Sequence, residues 1–199
     1  NKLDNTGLTN NTIIFFISDN GGATYTRAPD NAPLRGGKCT HFDGGLSVPF
    51  FIRYPRLLPG GHSYNQAVSS LDIFSTIAAA SGSGLPSDRS YDGVNLIPYL
   101  QGDSSRPHET FFWRSGYSKA FRQGDWKLYV NEKNKLTYLF NIATDREEKQ
   151  DRSRDEPGKL KELKDALKAW ERKNAIDPRW PSAADVLIDV NGKWFRFPS

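Results

Sequence analysis

The 199-residue sequence contains no methionine, a single cysteine (Cys39) and no long apolar run. One cysteine excludes an internal disulfide and any zinc site built on paired thiolates, and it leaves the redox compartment open. No stretch approaches the ~18 consecutive apolar residues that a membrane-spanning helix needs. A fixed-period repeat and low-complexity tracts are also absent, which excludes solenoids and arrays. Residues 1–11 are polar and have neither the basic start nor the apolar core of a secretory signal. Because translation begins with methionine, its absence creates the expectation that Asn1 is not the natural start. Charge of one sign is scarce too. The 27 basic residues exceed the 23 acidic ones only enough for a net +4, spread along the chain. A dedicated nucleic-acid surface would gather its basic residues, so that class is disfavoured.

What remains is a globular composition, 37% apolar, 13% aromatic and 25% charged, sufficient for a packed core. Residues 12–18 hold the run Ile13, Ile14, Phe15, Phe16 and Ile17, which predicts a strand buried on both faces and central in a sheet. Asp19-Asn20-Gly21-Gly22 ends it in a loop. Residues 48–54 predict a second buried strand, closed by Pro55 and Pro59. Over residues 69–81, Leu71, Phe74, Ile77 and Ala78 recur at helical spacing. Ser69 or Ser70 serves as N-cap, Asp72 lies in the first turn and Gly82 follows the end. Strand, loop, strand, helix predicts part of an α/β layered domain with its reactive loops at strand ends.

The pattern changes after residues 98–107. Short strands over residues 120–122, 126–130 and 136–140 predict an antiparallel meander. Leu160, Leu163, Leu167 and Trp170 form one stripe of a helix over residues 157–173, expected to cover a face of that meander. Residues 186–190 and 193–197 predict a closing hairpin around Asn191-Gly192, a pair suited to a type I′ turn.

Two loops carry candidate chemistry. Asp19 and Asn20 offer a carboxylate and an amide carbonyl, the oxygen donors that hard cations prefer, although the same residues also make an ordinary strand-ending turn. Leu34-Arg35-Gly36-Gly37-Lys38, followed by Phe42-Asp43-Gly44-Gly45, places a compact cation in a glycine-rich loop suited to sulfate or phosphate. It is not a P-loop, and a solvated lysine is the alternative. His41, His62 and His108 read as surface or loop histidines, and Cys39 as a small buried residue.

In order, these segments resemble the sulfatase family of the alkaline phosphatase superfamily. The resemblance rests on Ser18-Asp19-Asn20-Gly21, on the Arg35 to Lys38 and Phe42 to Gly45 loops with Val48-Pro49 and Tyr54-Pro55, and on Leu71-Asp72-Ile73-Phe74-Ser75-Thr76. Asp92-Gly93-Val94-Asn95-Leu96, Gly124-Asp125-Trp126-Lys127-Leu128 and Leu139-Phe140-Asn141-Ile142 complete it. It implies the C-terminal part of an alkaline-phosphatase-like α/β/α domain over residues 1–108, followed by a small antiparallel sheet with a packed helix over residues 109–199. It further implies sulfate-ester hydrolysis, with Asp19 and Asn20 as ligands of a divalent metal such as Ca2+ and Lys38 contacting the sulfate. The family's nucleophile is a formylglycine made within Cys/Ser-x-Pro-x-Arg, and no such motif occurs in these 199 residues.

An inactive fragment is therefore expected, needing the upstream half of a longer chain to complete the metal site. Its substrate would be a sulfated small molecule or glycan and its location extracytoplasmic, whether periplasmic, secreted or lysosomal. A phosphomonoesterase or phosphodiesterase of the same superfamily is the nearest alternative. A non-catalytic glycan-binding module is another, in which Trp113, Trp126, Trp170, Trp180 and Trp194 would form a stacking surface instead of core. Burial of Trp126 and Trp170 between helix and sheet would favour the enzyme. Asp19, Asn20 and Lys38 are expected on one side of the sheet, in loops at the carboxyl ends of strands.

Overall fold

The computed structural model describes residues 2–27, 29–174, 184–190 and 192–198. In chain order its elements are α1 (Lys2–Asn5), β1 (Ile14–Ile17), α2 (Asp43–Leu46), β2 (Phe50–Arg53), α3 (Asp72–Ser81) and α4 (Ile97–Leu100). Strands β3 (Thr110–Ser115), β4 (Ser118–Gln123), β5 (Trp126–Asn131) and β6 (Leu136–Asn141) follow, then α5 (Pro157–Asn174), β7 (Asp185–Val190) and β8 (Lys193–Pro198). The chain divides into one compact unit of Asn1–Ser18 with Pro49–Glu109, and a second of Asp19–Val48 with Thr110–Ser199. No described helix is long and apolar enough to cross a membrane.

In the first unit β1 pairs antiparallel with β2, Ile14 opposite Arg53 and Ile17 opposite Phe50. The expected central strand, covered on both faces, is not what forms: among the described residues the sheet has two strands. Phe16 and Phe51, direct cross-strand partners, are 66% and 63% exposed, while Ile13 and Ile52 pack on a small core of Tyr54, Leu58 and Ile97. Side chains of a strand alternate between faces, and only one face of this sheet is packed within its unit. A continuous apolar run does not by itself distinguish one covered face from two.

Helix α3 forms where the periodicity predicts it, and Gly82 caps it in the left-handed region (φ 73°), its N–H donating to the carbonyls of Ala78 and Ala79. Its buried face differs from the expected one. Leu71, Phe74 and Ile77 are exposed, whereas Asp72, Ser75 and Thr76 are buried. The segment after Asp92 explains this: Val94 N donates to Asp72 Oδ1 (2.9 Å), Leu96 N to Thr76 Oγ1 (3.0 Å) and Ser75 Oγ to Gly93 O (2.7 Å). His108 Nε2 lies 2.7 Å from Asp72 Oδ1, so His108, a loop residue as the sequence reading allowed, is the partner of a buried carboxylate. The polar face wins because each group that it buries finds a partner, which removes the desolvation cost.

The second unit is built on the antiparallel meander β3-β4-β5-β6. Phe121, Leu128 and Leu139 are successive cross-strand partners on one face, and α5 lays Leu163 and Leu167 onto them, with Leu160 and Trp170 at the margin. Trp170 stacks on Phe112 at 4.9 Å, and Trp126 packs against the same cluster. The predicted helix stripe therefore meets the predicted meander. On the opposite face Tyr129 and Phe140 join Phe42 and the hairpin residues Ile188, Val190 and Phe197. The hairpin β7–β8 forms, but Asn191 of its expected turn lies outside the described residues.

The α5 seam supplies a test of this packing. Leu163 is fully buried, so Leu163→Ala removes its contacts and leaves a cavity, with an expected loss of about 3 kcal/mol in urea unfolding. The exposed-face change Lys168→Ala, on the same helix, is expected to stay within ~0.5 kcal/mol.

Candidate functional site

Three backbone segments of the second unit approach one another without intervening side chains. Residues 19–22 follow β1, residues 34–40 form a turn-rich loop, and α2 begins at Asp43. Gly21 N donates to Gly45 O (3.1 Å), Lys38 N to Gly22 O (3.0 Å) and Gly44 N to Arg35 O (2.8 Å). A Cβ on Gly21 would lie 1.7 Å from Gly44 O, and one on Gly37 would lie 2.3 Å from Gly22 O. The glycines are thus required by contact distance: any side chain at these positions would drive the loops apart.

Asn31 closes this junction. Its Oδ1 accepts from Gly22 N (2.9 Å), and its Nδ2 donates to Gly22 O (3.1 Å) and Gly36 O (3.0 Å). Thr40 folds the lysine turn back on itself, its Oγ1 donating to Gly37 O (2.7 Å) and accepting from Gly37 N (3.1 Å). Cys39, next to Lys38, adopts φ 68° and is half-buried rather than buried. Such left-handed backbone at a non-glycine residue stores strain and persists only where neighbouring bonds hold it.

These contacts place Lys38 and the Asp19-Asn20 pair on adjoining loops. Lys38 and Asp19 are exposed and Asn20 is half-buried, with Asn20 Nδ2 donating to Asp19 Oδ1. Asp19 follows β1 closely, as expected; Lys38 instead follows a turn, not a strand. Among the described residues no three His, Cys, Asp or Glu side chains cluster so as to hold a metal ion. The Asp19-Asn20 pair has the oxygen chemistry of a hard-cation site, but it supplies one formal charge and two donors where such an ion takes six to eight. Among the described residues the donors do not make a complete site.

The loops are tied to the meander by a buried charge cluster. Lys127 Nζ, fully buried on β5, donates to Asp43 Oδ1 (2.5 Å) and lies 2.8 Å from Glu148 Oε1, an ion-pair contact without hydrogen-bond alignment. Glu148 Oε2 accepts from Asp43 N (2.7 Å), and its carbonyl accepts from Arg35 Nη1 (2.9 Å). The Arg35 guanidinium lies 4.3 Å from the centre of the Phe42 ring. Burial pushes the Glu148 carboxyl above its ordinary value, against the lowering effect of Lys127. Sequence reading named Asp43 and Lys127 only as motif members and missed Glu148 and Asn31. Glu148 lies in the charged run Arg146-Glu147-Glu148-Lys149, where no spacing marks one carboxylate as buried.

His41 also lies in a loop, with its ring engaged inside the second unit. Its Nδ1 is 3.1 Å from Ser118 Oγ, and burial, with a smaller contribution from positive Lys127, lowers its pKa to about 4.

The match to known proteins is consistent with this geometry. Residues 1–83 match the family model described as Sulfatase. Human steryl-sulfatase is 35% identical over 131 residues, covering 61% of this chain and 22% of that protein. The arylsulfatase of Hemicentrotus pulcherrimus is 38% identical over 134 residues, covering 64% and 24%. The solved structure of Ps i-CgsB in complex with k-i-k-neocarrahexaose superposes with a TM-score of 0.78 at 31% identity, over 90% of this chain and 40% of that one. By sequence and fold the chain is similar to sulfatases. It spans about a quarter of the length of the curated relatives that it matches.

Histidine titration gives the measurable consequence. A base whose folded pKa is depressed stabilises the fold above its unfolded pKa, and that contribution is lost as pH falls through the folded value. Between pH 7 and pH 4, His41 is expected to cost up to about 3 kcal/mol of unfolding free energy. His41→Gln should flatten that part of the stability profile measured by urea unfolding.

Proposed function

We propose that this chain is the C-terminal part of a sulfuric ester hydrolase, in which Lys38 binds the sulfate group and Asp19 and Asn20 contribute ligands to a divalent ion, Ca2+ by family. In this reading residues 1–108 belong to the α/β catalytic domain and residues 109–199 form the small sheet-and-helix subdomain. The nucleophile, a formylglycine by family, and the remaining metal ligands would come from the upstream half of a longer, extracytoplasmic enzyme. The supporting observation is the glycine junction, which holds the Lys38 turn against the loop of Asp19 and Asn20 by the Lys38 N–H bond to Gly22.

The chemistry follows from what each group offers. A sulfate monoester develops negative charge on its nonbridging and leaving oxygens as the S–O bond breaks, and a fixed ammonium placed there stabilises that charge more than it stabilises the ground state. Lys38 has no carboxylate partner among the described residues, so its charge is available to an anion. Held by backbone bonds at Gly37 and Gly22, the residue meets the sulfate with little reorganisation. A divalent ion supplies further positive charge at the ester oxygens when bound.

Two measurements check the assignment. The 199-residue chain alone is expected to hydrolyse neither 4-nitrophenyl sulfate nor 4-nitrophenyl phosphate. In the longer enzyme, Lys38→Ala is expected to lower kcat for the sulfate ester by about 10²-fold, more than it raises KM, with little change in melting temperature. Unchanged turnover would remove Lys38 from the site, and faster turnover of the phosphate ester would move the enzyme to the phosphoesterase branch of the superfamily.

A further inference from the structure

One residue reaches both flanks of the Lys38 loop. Arg35 stands just before the glycines of that loop and Asp43 ends it at the start of α2. Each is bonded to Glu148, which is 113 positions from Arg35 and 105 from Asp43. The Glu148 carbonyl accepts from Arg35 Nη1 (2.9 Å), and its Oε2 accepts from Asp43 N (2.7 Å). We propose that Glu148 is a positioning residue for the anion-binding lysine: it clasps the two ends of residues 35–43 and so sets where the Lys38 ammonium stands. The proposal rests on the sulfatase reading only for the statement that Lys38 meets the sulfate.

The backbone at Glu148 is strained to make this reach. Its φ of 53° is left-handed, a region that a glutamate seldom adopts. The turn after β6 holds it there: Asp145 O accepts from Glu148 N (3.2 Å), while Asp145 Oδ1 accepts from Lys149 N (3.1 Å) and Oδ2 from Gln150 N (2.7 Å). Such strain persists where the surroundings over-determine it, and it gathers at sites that need one side chain in one place. The group delivered is a carboxylate with no exposure to solvent. An apolar side chain of similar volume is often a neutral or stabilising replacement in a buried ion cluster, so stability alone does not call for a carboxylate here. An acceptor for the Asp43 N–H does.

The flanks transmit that hold to the turn. Arg35 O accepts from Gly44 N (2.8 Å), so the two ends of the loop are tied to each other as well as to Glu148. The Arg35 guanidinium also lies over the rings of Phe42 (4.3 Å) and Tyr138 (5.1 Å), which leaves it little freedom to follow a displaced partner. Between these ends Thr40 and Gly37 fold the chain, and Lys38 adds only its N–H bond to Gly22. A shift of either flank therefore moves the ammonium, and a misplacement of about 1 Å at a reacting group can cost about 10²-fold in rate.

The test is a double-variant cycle in the longer enzyme, with 4-nitrophenyl sulfate as substrate. Glu148→Ala is expected to lower kcat about tenfold with KM held within about twofold, and Glu148→Gln, which keeps the volume and one acceptor, to lower it only about threefold. Combined with Lys38→Ala, either change is expected to cost less than about twofold more, because a residue that acts through Lys38 has no effect once the ammonium is gone. Circular dichroism checks each fold, and Glu148→Gln carries the cycle if Glu148→Ala does not fold. Hydrogen exchange reads the clasp without turnover: in Glu148→Gln, residues 35–45 are expected to exchange at least about threefold faster, and residues 110–121 of β3 and β4 at the wild-type rate. Wild-type turnover and exchange in Glu148→Gln, losses that add to those of Lys38→Ala, or equal acceleration of exchange in both segments would overturn the proposal. Unchanged turnover in Lys38→Ala, with faster exchange confined to residues 35–45, would remove the sulfatase reading and keep the clasp.

Discussion

The site depends on backbone approaching backbone. At the junction of residues 19–22, 34–40 and 43–45, carbonyl oxygens occupy the positions where side chains would stand, and only glycine lets the three segments close. Such a junction is intrinsically weak: glycine loses the most conformational freedom on folding, and no apolar surface is buried by the contact itself. Its stability has to come from elsewhere in the unit. Asn31 supplies part of it by bonding two segments at once. The Lys127, Asp43 and Glu148 cluster fixes the geometry, anchoring the start of α2 to the centre of the meander.

Alternation along β5 makes that anchoring possible. Trp126, Leu128 and Val130 join the cluster under α5, while Lys127 and Tyr129 point to the other face, where Asp43 and Phe42 sit. One six-residue strand therefore serves both the apolar seam and the charged anchor. A buried lysine with two carboxylates contributes little net stability, since the desolvation of three charges offsets their attraction. Its effect is geometric, because loss of one partner strands the others in a dry interior. That asymmetry fixes α2, and with it Gly44 and Gly45, in the one position that the glycine loops can meet.

Legibility in the sequence follows the range of the interactions. The α5 stripe and the meander were readable because their periodicities are local and each writes its buried face into spacing of three, four or two residues. The loop of Lys38 and the Asp19-Asn20 pair stood out because glycines next to charged residues have few uses. Glu148 was not readable, since its partner Asp43 is 105 positions away and nothing near it distinguishes a buried glutamate from a solvated one. Asn31, between Pro29 and Pro33, reads as a turn residue, and its three bonds exist only once the loops have met. In α3 the relevant signal was present but on the other face: Asp72, Ser75 and Thr76 share a helical stripe as well as the apolar residues do, and the docking of residues 93–96 decides which is buried. For β1 the run was read correctly as strand, while its burial depended on neighbours that a strand's own sequence does not specify.

Two lysines near the junction show how the fold separates stability from chemistry. Lys127 is fully enclosed by carboxylates, so its charge is neutralised and its side chain is immobile; it holds the scaffold and is closed to any ligand. Lys38 carries the same charge on a turn whose shape is set by Gly36, Gly37 and Thr40, and its ammonium is exposed. A cation that helped to hold its own loop would have to break structural bonds before meeting an anion. With the restraint delegated to backbone bonds and to Lys127, Lys38 can present its charge at a defined place without that cost, which is the preorganisation that electrostatic catalysis needs.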